Sequence, residues 1–136
     1  MKHEDFELIQ KHTVDLFKLS ADNLHEKSMH LPSDMVDFLN FYSDGIRELK
    51  RLGTERDKLY GQLYDFYRYQ NNKSLKNLTE IEPYIKSNQK YYELCLQISD
   101  VEIQVKWFEE MVDFTKKLTY HFGNIATFEK MKRGEL

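Results

Sequence analysis

The sequence predicts an all-α fold with a short N-terminal helix and two long antiparallel helices carrying coiled-coil-like seams, oligomerising through the C-terminal helix. Three observations predict it. Apolar residues recur at steps of three and four over residues 39–66 and 91–115. Helix breakers are scarce, with 5 Gly and 2 Pro in 136 residues. Val–Ile alternation of the kind that builds half-buried strands is rare, although 9 Tyr and 9 Phe could have supported a sheet.

The elements follow in order, within a single expected domain over residues 1–136. Phe6, Ile9, Thr13, Leu16 and Leu19 are spaced by 3 and 4, which predicts an amphipathic helix over residues 5–19. A polar connection over residues 20–31 completes the N-terminal region. Pro32, Ser33 and Asp34 then read as a helix start with Ser33 as N-cap. The long middle helix, assigned to residues 32–70, carries Leu39, Tyr42, Ile46, Leu49, Leu52, Arg56, Leu59, Leu63 and Phe66. Only Arg56 interrupts its seam, and it would run roughly 55 Å. Asn71, Asn72, Lys73 and Ser74 read as its stop. Pro83 lies in the expected loop of residues 71–87.

The last helix, residues 88–133, is the most regular. Tyr91, Leu94, Ile98, Val101, Val105, Phe108, Val112 and Thr115 form a strict heptad seam, continued less regularly by Leu118, Phe122, Ile125 and Phe128. Trp107, Phe108, Met111, Phe114, Phe122 and Phe128 exceed what one narrow seam accommodates, which predicts self-association. The expected oligomerisation residues are Leu94, Ile98, Val101, Val105, Phe108, Val112, Leu118, Phe122, Ile125 and Phe128.

Composition mostly excludes. With 16.5 kDa, about two-thirds of the unfolded surface can be buried without metals or disulfides. The single cysteine, Cys95, cannot pair within the chain and reads as a small core residue in a reduced compartment. No apolar run is long enough to span a membrane, and the acidic start lacks the layout of a signal peptide, so an intracellular location is expected. The net charge of −3 gives no overall basic signature, but it is unevenly distributed. Residues 1–45 carry 4 basic and 9 acidic side chains, residues 46–90 carry 10 and 6, and residues 91–136 carry 6 and 8.

On a helical wheel, Lys50, Arg51, Lys58, Arg68 and Tyr69 fall within about 60° of Arg47, away from the seam, with Asp65 the acid among them. Two readings are open: a track for phosphates with Tyr69 available to stack on a base, or a solvated face pairing with acids of a neighbouring subunit. Tyr60 and Tyr67 lie on the seam side and Tyr64 at its edge, so they read as packing residues. Catalysis and metal binding have little support. Asp22-x-x-His25 and Glu26-x-x-x-His30 do not supply the paired Glu-x-x-His units of a helical di-metal site, and no phosphate loop or nucleophile elbow is present. Neither an enzyme nor a cofactor is expected.

Phe122-Gly123-Asn124-Ile125-Ala126-Thr127-Phe128-Glu129-Lys130-Met131-Lys132-Arg133-Gly134 resembles the closing signature of the UvsY-like recombination mediator family of T-even-type phages, through Asn124, Phe128, Lys130 and Gly134. Gly123 and Met131 depart from its usual Lys and Phe. Residues 15–28 with Leu24, then Leu31-Pro32, resemble its N-terminal pattern. Leu63-Tyr64-Asp65-Phe66-Tyr67 resembles the end of its middle helix, and Glu82-Pro83-Tyr84-Ile85 the stretch before its last helix. The resemblance implies a non-enzymatic, cyclic, hexamer-like homo-oligomer in the cytoplasm of the infected host cell. Such a protein binds single-stranded DNA and helps the phage recombinase replace the phage single-strand-binding protein. The family's basic pair in the middle helix corresponds to Tyr60 and Gln62 here, between Leu59 and Leu63, so DNA contact falls to the stripe of Arg47, Lys50, Arg51, Lys58, Arg68 and Tyr69. A helical structural or adaptor protein without DNA binding is the alternative.

Overall fold

The computed structural model describes residues 1–18, 23–70, 75 and 77–134, without the side chains of Leu24 and Gln70. Helices are the only regular elements among these residues. They are α1 (His3–Leu16), α2 (Leu24–Asp65) continuing into a π-helical turn (Phe66–Gln70), α3 (Leu78–Ser87) and α4 (Gln89–Lys132). No helix among the described residues is long and apolar enough to cross a membrane. The all-α class expected from the sequence is the one observed. The chain divides into two compact units, Met1–Asp44 with Gln104–Leu136, and Gly45–Ile103.

The first unit closes around Phe108, which is only 2% exposed. Its ring stacks on Phe41 at 5.1 Å between centroids and meets Phe6 of α1 edge-on at 5.8 Å. Trp107 in turn meets Phe6 at 5.5 Å and Phe38 at 6.2 Å, both edge-on. Edge-to-face and offset ring pairs add about 0.5–1.5 kcal/mol each beyond the area they bury. Within this unit α2 and α4 run antiparallel. Phe38 and Phe41 meet Phe108, whereas the earlier Leu31 and Asp34 share a cleft with the later Leu118 and Phe122.

Polar groups complete the packing. Buried Thr13 and Thr115 each donate to the carbonyl four residues earlier, of Ile9 and Met111, at 2.7 Å. Gln104 Nε2 donates to the Met1 carbonyl at 3.0 Å, tying the start of the chain to α4. Glu4 and Asp5 complement the positive end of α1. Its carbonyl end is closed by the N–H groups of Phe17 and Lys18, which donate to Thr13 and Asp15, and is reached from α2 by Lys27, whose Nζ donates to the Asp15 carbonyl at 2.7 Å and to that of Lys18 just beyond the helix.

These contacts explain why α2 begins at Leu24 and not after the expected cap at Ser33. Pro32 lies inside the helix and removes one N–H, but buried Leu31 and the Lys27 bridge hold the turns ahead of it. The connection expected over residues 20–31 is therefore largely helical from Leu24. The inward face at this end of α2 also differs from the expected seam: Leu31 and Phe38 are buried and Leu39 is exposed. The first helix spans His3–Leu16 where residues 5–19 were expected, and Leu19 lies outside the described residues.

In the second unit, Leu52 of α2, Ile81 and Ile85 of α3, and Ile98 and Val101 of α4 are buried. The loop expected over residues 71–87 contains α3. Asn77 caps it by accepting from the Glu80 N–H at 3.0 Å, and Ile81 and Ile85, one turn apart, bury completely. The expected stop at residues 71–74 lies outside the described residues. Asn88 ends α3 and starts α4: its N–H donates to the Ile85 carbonyl at 3.1 Å, while its Oδ1 accepts from the Tyr91 N–H at 3.1 Å. Tyr60 faces Tyr91 at 6.1 Å and Tyr67 faces Tyr84 at 5.5 Å, as packing residues should. Burial raises the Tyr91 phenol above its ordinary pKa, and neighbouring Cys95, half-buried, adds to the shift.

The cleft of about 500 Å³ in the first unit is lined by Leu16, Phe17, Leu31, Leu118 and Phe122 with Lys27, His30 and Asp34 among them. Desolvation holds the Asp34 carboxyl above its ordinary pKa; His30 pulls it back and Asp37 pushes it further up.

Two predictions follow from the packing. Phe108→Ala removes the ring on which three helices meet and is expected to cost about 3–5 kcal/mol in chemical denaturation. For Asp34, the folded chain holds the proton more tightly than the unfolded one, so the native state loses stability as pH rises from the unfolded carboxyl pKa through the folded value. Asp34→Asn is expected to be more stable than the parent at pH 7, with the gain vanishing below about pH 4 in melting curves recorded across pH.

Candidate nucleic-acid interface

With Leu52 buried and Tyr60 turned to Tyr91, the outward face of α2 in the second unit is set by the helical repeat. Arg47, Lys50, Arg51 and Lys58 are all exposed on it, as the sequence predicts. Lys50 and Lys58 make no ion pair among the described residues. Their ammonium groups stand in water on flexible stems, with no carboxylate to displace before a phosphate binds.

Arg51 is in a different state. Its Nε and Nη2 donate to the two carboxylate oxygens of Glu48 at 3.0 and 2.5 Å, and its Nη1 to Glu55 at 2.5 Å. Glu48 lies three residues before it and Glu55 four after it, so helical geometry brings all three together. The pairing holds the Glu48 carboxyl below its ordinary pKa and the guanidinium above its own. One positive and two negative charges make this cluster locally acidic, which removes Arg51 from the set of ready phosphate ligands. Arg56, the charge in the predicted seam, is half-buried and pairs with Asp57 at 3.5 Å.

Arg68 and Tyr69 lie on the π turn. A π turn is wider than an α turn and rotates each residue less about the axis, so the α-helical wheel that aligned these two with Arg47 does not extend through it. Both are exposed nonetheless. Arg68 Nη1 donates to the Tyr64 hydroxyl at 2.7 Å, and its guanidinium lies over the rings of Tyr64 at 5.8 Å and Tyr69 at 5.4 Å. This contact with Tyr64, absent from the sequence reading, has the signal of an i, i+4 spacing. Phe66, assigned by sequence to the seam, is 46% exposed on the same turn.

The residues expected to mediate oligomerisation divide into two groups. Ile98, Val101, Val105, Phe108 and Val112 are buried within the chain itself and have little surface to offer a second copy. Leu94, Leu118, Phe122 and Ile125 are half-buried, and Phe128 is exposed beside exposed Met131. Among the described residues no group of His, Cys, Asp and Glu is arranged to hold a metal ion.

The fold is similar to that in the crystal structure of the bacteriophage T4 recombination mediator protein UvsY, with a TM-score of 0.77 over 98% of each chain at 14% sequence identity. No curated protein matches the sequence. Residues 9–135 match the model of the family described as recombination, repair and ssDNA binding protein UvsY, and at that coverage the chain belongs to the UvsY family.

Proposed function

We propose that the chain is a non-enzymatic recombination mediator that binds single-stranded DNA along the outward face of α2 and promotes loading of the phage recombinase onto DNA covered by single-strand-binding protein. The observation that carries this reading is the row of exposed cations Arg47, Lys50 and Lys58, with Arg68 at its end, on a chain whose family is described as ssDNA binding. Its place of action is the cytoplasm of the infected host cell. Copies associate into a cyclic, hexamer-like oligomer through the part of α4 that the chain leaves uncovered: Leu94, Leu118, Phe122 and Ile125 at its margin and Phe128 and Met131, 59% and 61% exposed. A ring repeats one weak cationic face many times, which converts modest single-site affinity into avidity.

The chemistry of binding is counterion release. Lys50, Lys58 and Arg68, with Arg51 occupied by Glu48 and Glu55 and Arg47 left out of the count, correspond to a slope of log affinity against log salt of roughly −2.1 per protomer. In fluorescence anisotropy with a labelled oligonucleotide, Lys50→Ala with Lys58→Ala is expected to weaken binding and to flatten this slope by roughly 1.4. Arg51→Ala is expected to change it far less. No binding at low salt rejects the proposal.

Two further measurements address the finer parts. The recombinase's ATPase on DNA coated with single-strand-binding protein is expected to rise when the protein is added. Light scattering at micromolar concentration is expected to show an oligomer that Phe128→Asp with Met131→Asp dissociates, and a monomer for the parent chain rejects the ring.

A further inference from the structure

The π turn at the end of α2 has properties that a phosphate track does not require. We propose that it is a base-stacking seat, in which the rings of Phe66 and Tyr69 take unpaired bases beside the guanidinium of Arg68. The inference rests on the single-stranded DNA reading above and deepens it by separating the groups that hold bases from those that hold phosphates.

Four observations support it. First, π turns are rare within helices and concentrate at functional positions, because they open the backbone ladder and need outside support. Second, the turn leaves two aromatic rings in water, with Tyr69 72% and Phe66 46% exposed, while Tyr64, Tyr67 and Tyr84 behind them are half-buried. Third, the platform is braced. Tyr67 meets Phe66 edge-on at 5.2 Å and Tyr84 of α3 at 5.5 Å, and α3 is anchored by the complete burial of Ile81 and Ile85. A ring whose position is fixed in advance loses little freedom when a base stacks on it.

Fourth, the cation belongs to the platform. Arg68 spends one N–H on the Tyr64 hydroxyl at 2.7 Å, and its guanidinium carbon lies 5.8 Å from the Tyr64 ring centroid and 5.4 Å from that of Tyr69. A guanidinium has five N–H donors, so others serve an acceptor arriving with the base. Rings interleaved with arginine form the surface on which bases stack without regard to sequence, since every base has a π-face. Two rings and one guanidinium match one or two bases, whereas a stable protein interface needs about 800 Å² from each partner. Lys58 lies eight residues before Phe66, about 12 Å along the helix, so a strand held at one continues to the other.

The test compares two labelled oligonucleotides of equal length, one of thymidylate and one abasic throughout its centre, by anisotropy at fixed low salt. The parent protein is expected to prefer the base-bearing strand by about five-fold or more, the effect of one stacked base. Phe66→Ala with Tyr69→Ala is expected to lose that preference while its salt slope stays unchanged; Tyr69→Trp is expected to keep it. Lys50→Ala with Lys58→Ala is expected to weaken both strands alike and retain the preference. If the double alanine variant loses helical circular dichroism, Tyr69→Ala alone decides, because that ring stands mostly in water. Equal binding of the two strands by the parent, or a preference surviving the alanine variants, overturns the seat and leaves the phosphate track intact. Binding of neither strand overturns both.

Discussion

The contact between Phe108 and the rings around it sets the geometry of the first unit. A helix carrying a continuous apolar stripe must remove that stripe from water, and at Phe108 the covering groups come from two directions, Phe41 of α2 stacked on its face and Phe6 of α1 against its edge. The remaining features accommodate this choice. Gln104 anchors the chain's start, Lys27 reaches the carbonyl end of α1, and the buried threonines turn their hydroxyls onto their own helices. In the second unit Ile98 and Val101 continue the stripe, and Ile81 and Ile85 are the residues most completely withdrawn from solvent. Packing requires α2 to turn one face inward, and the cationic face is what remains outside.

That outer face is weaker than its residue count suggests. Arg51 is neutralised by two carboxylates on its own helix, and exposed pairs of this kind contribute little to stability while still competing with any incoming anion. What remains is a sparse row of cations ending in an aromatic cluster. Under the proposed function, such a face would hold a strand without gripping it, and a mediator that gives the strand up to a recombinase has use for short residence at each contact. Repetition around a ring, under the proposed function, restores affinity for the assembly and keeps each contact easily broken.

The fold was legible where spacing alone decides. The seam from Tyr91 to Thr115 was readable as a heptad: Tyr91 and Leu94 are half-buried and the six positions from Ile98 to Thr115 are buried, because 3 and 4 residue steps leave a helix no other face to hide. It was misread where local signals outvoted tertiary ones. Pro32 followed by Ser33 resembles a helix start, but the burial of Leu31 and the reach of Lys27 lie outside any local pattern. Pro83 concealed α3, although Asn77 three residues ahead of Glu80 and the Ile81–Ile85 pair were there to be counted. At the candidate site, the exposure of Lys50 and Lys58 was readable from the wheel. The engagement of Arg51 was equally present in the positions of Glu48 and Glu55. The π turn was not readable, since a wheel at constant angle per residue contains no widening of the helix.

The division into two units has an optical consequence. The one tryptophan, Trp107, sits among Phe6, Phe38 and Phe108 in the first unit, whereas 7 of the 9 tyrosines (Tyr60, Tyr64, Tyr67, Tyr69, Tyr84, Tyr91 and Tyr92) belong to the second. Emission excited selectively at the indole therefore reports on one unit, and phenol absorbance is dominated by the other. A denaturant titration followed in both channels distinguishes units that melt together from units that melt apart, with no label and no change to the sequence.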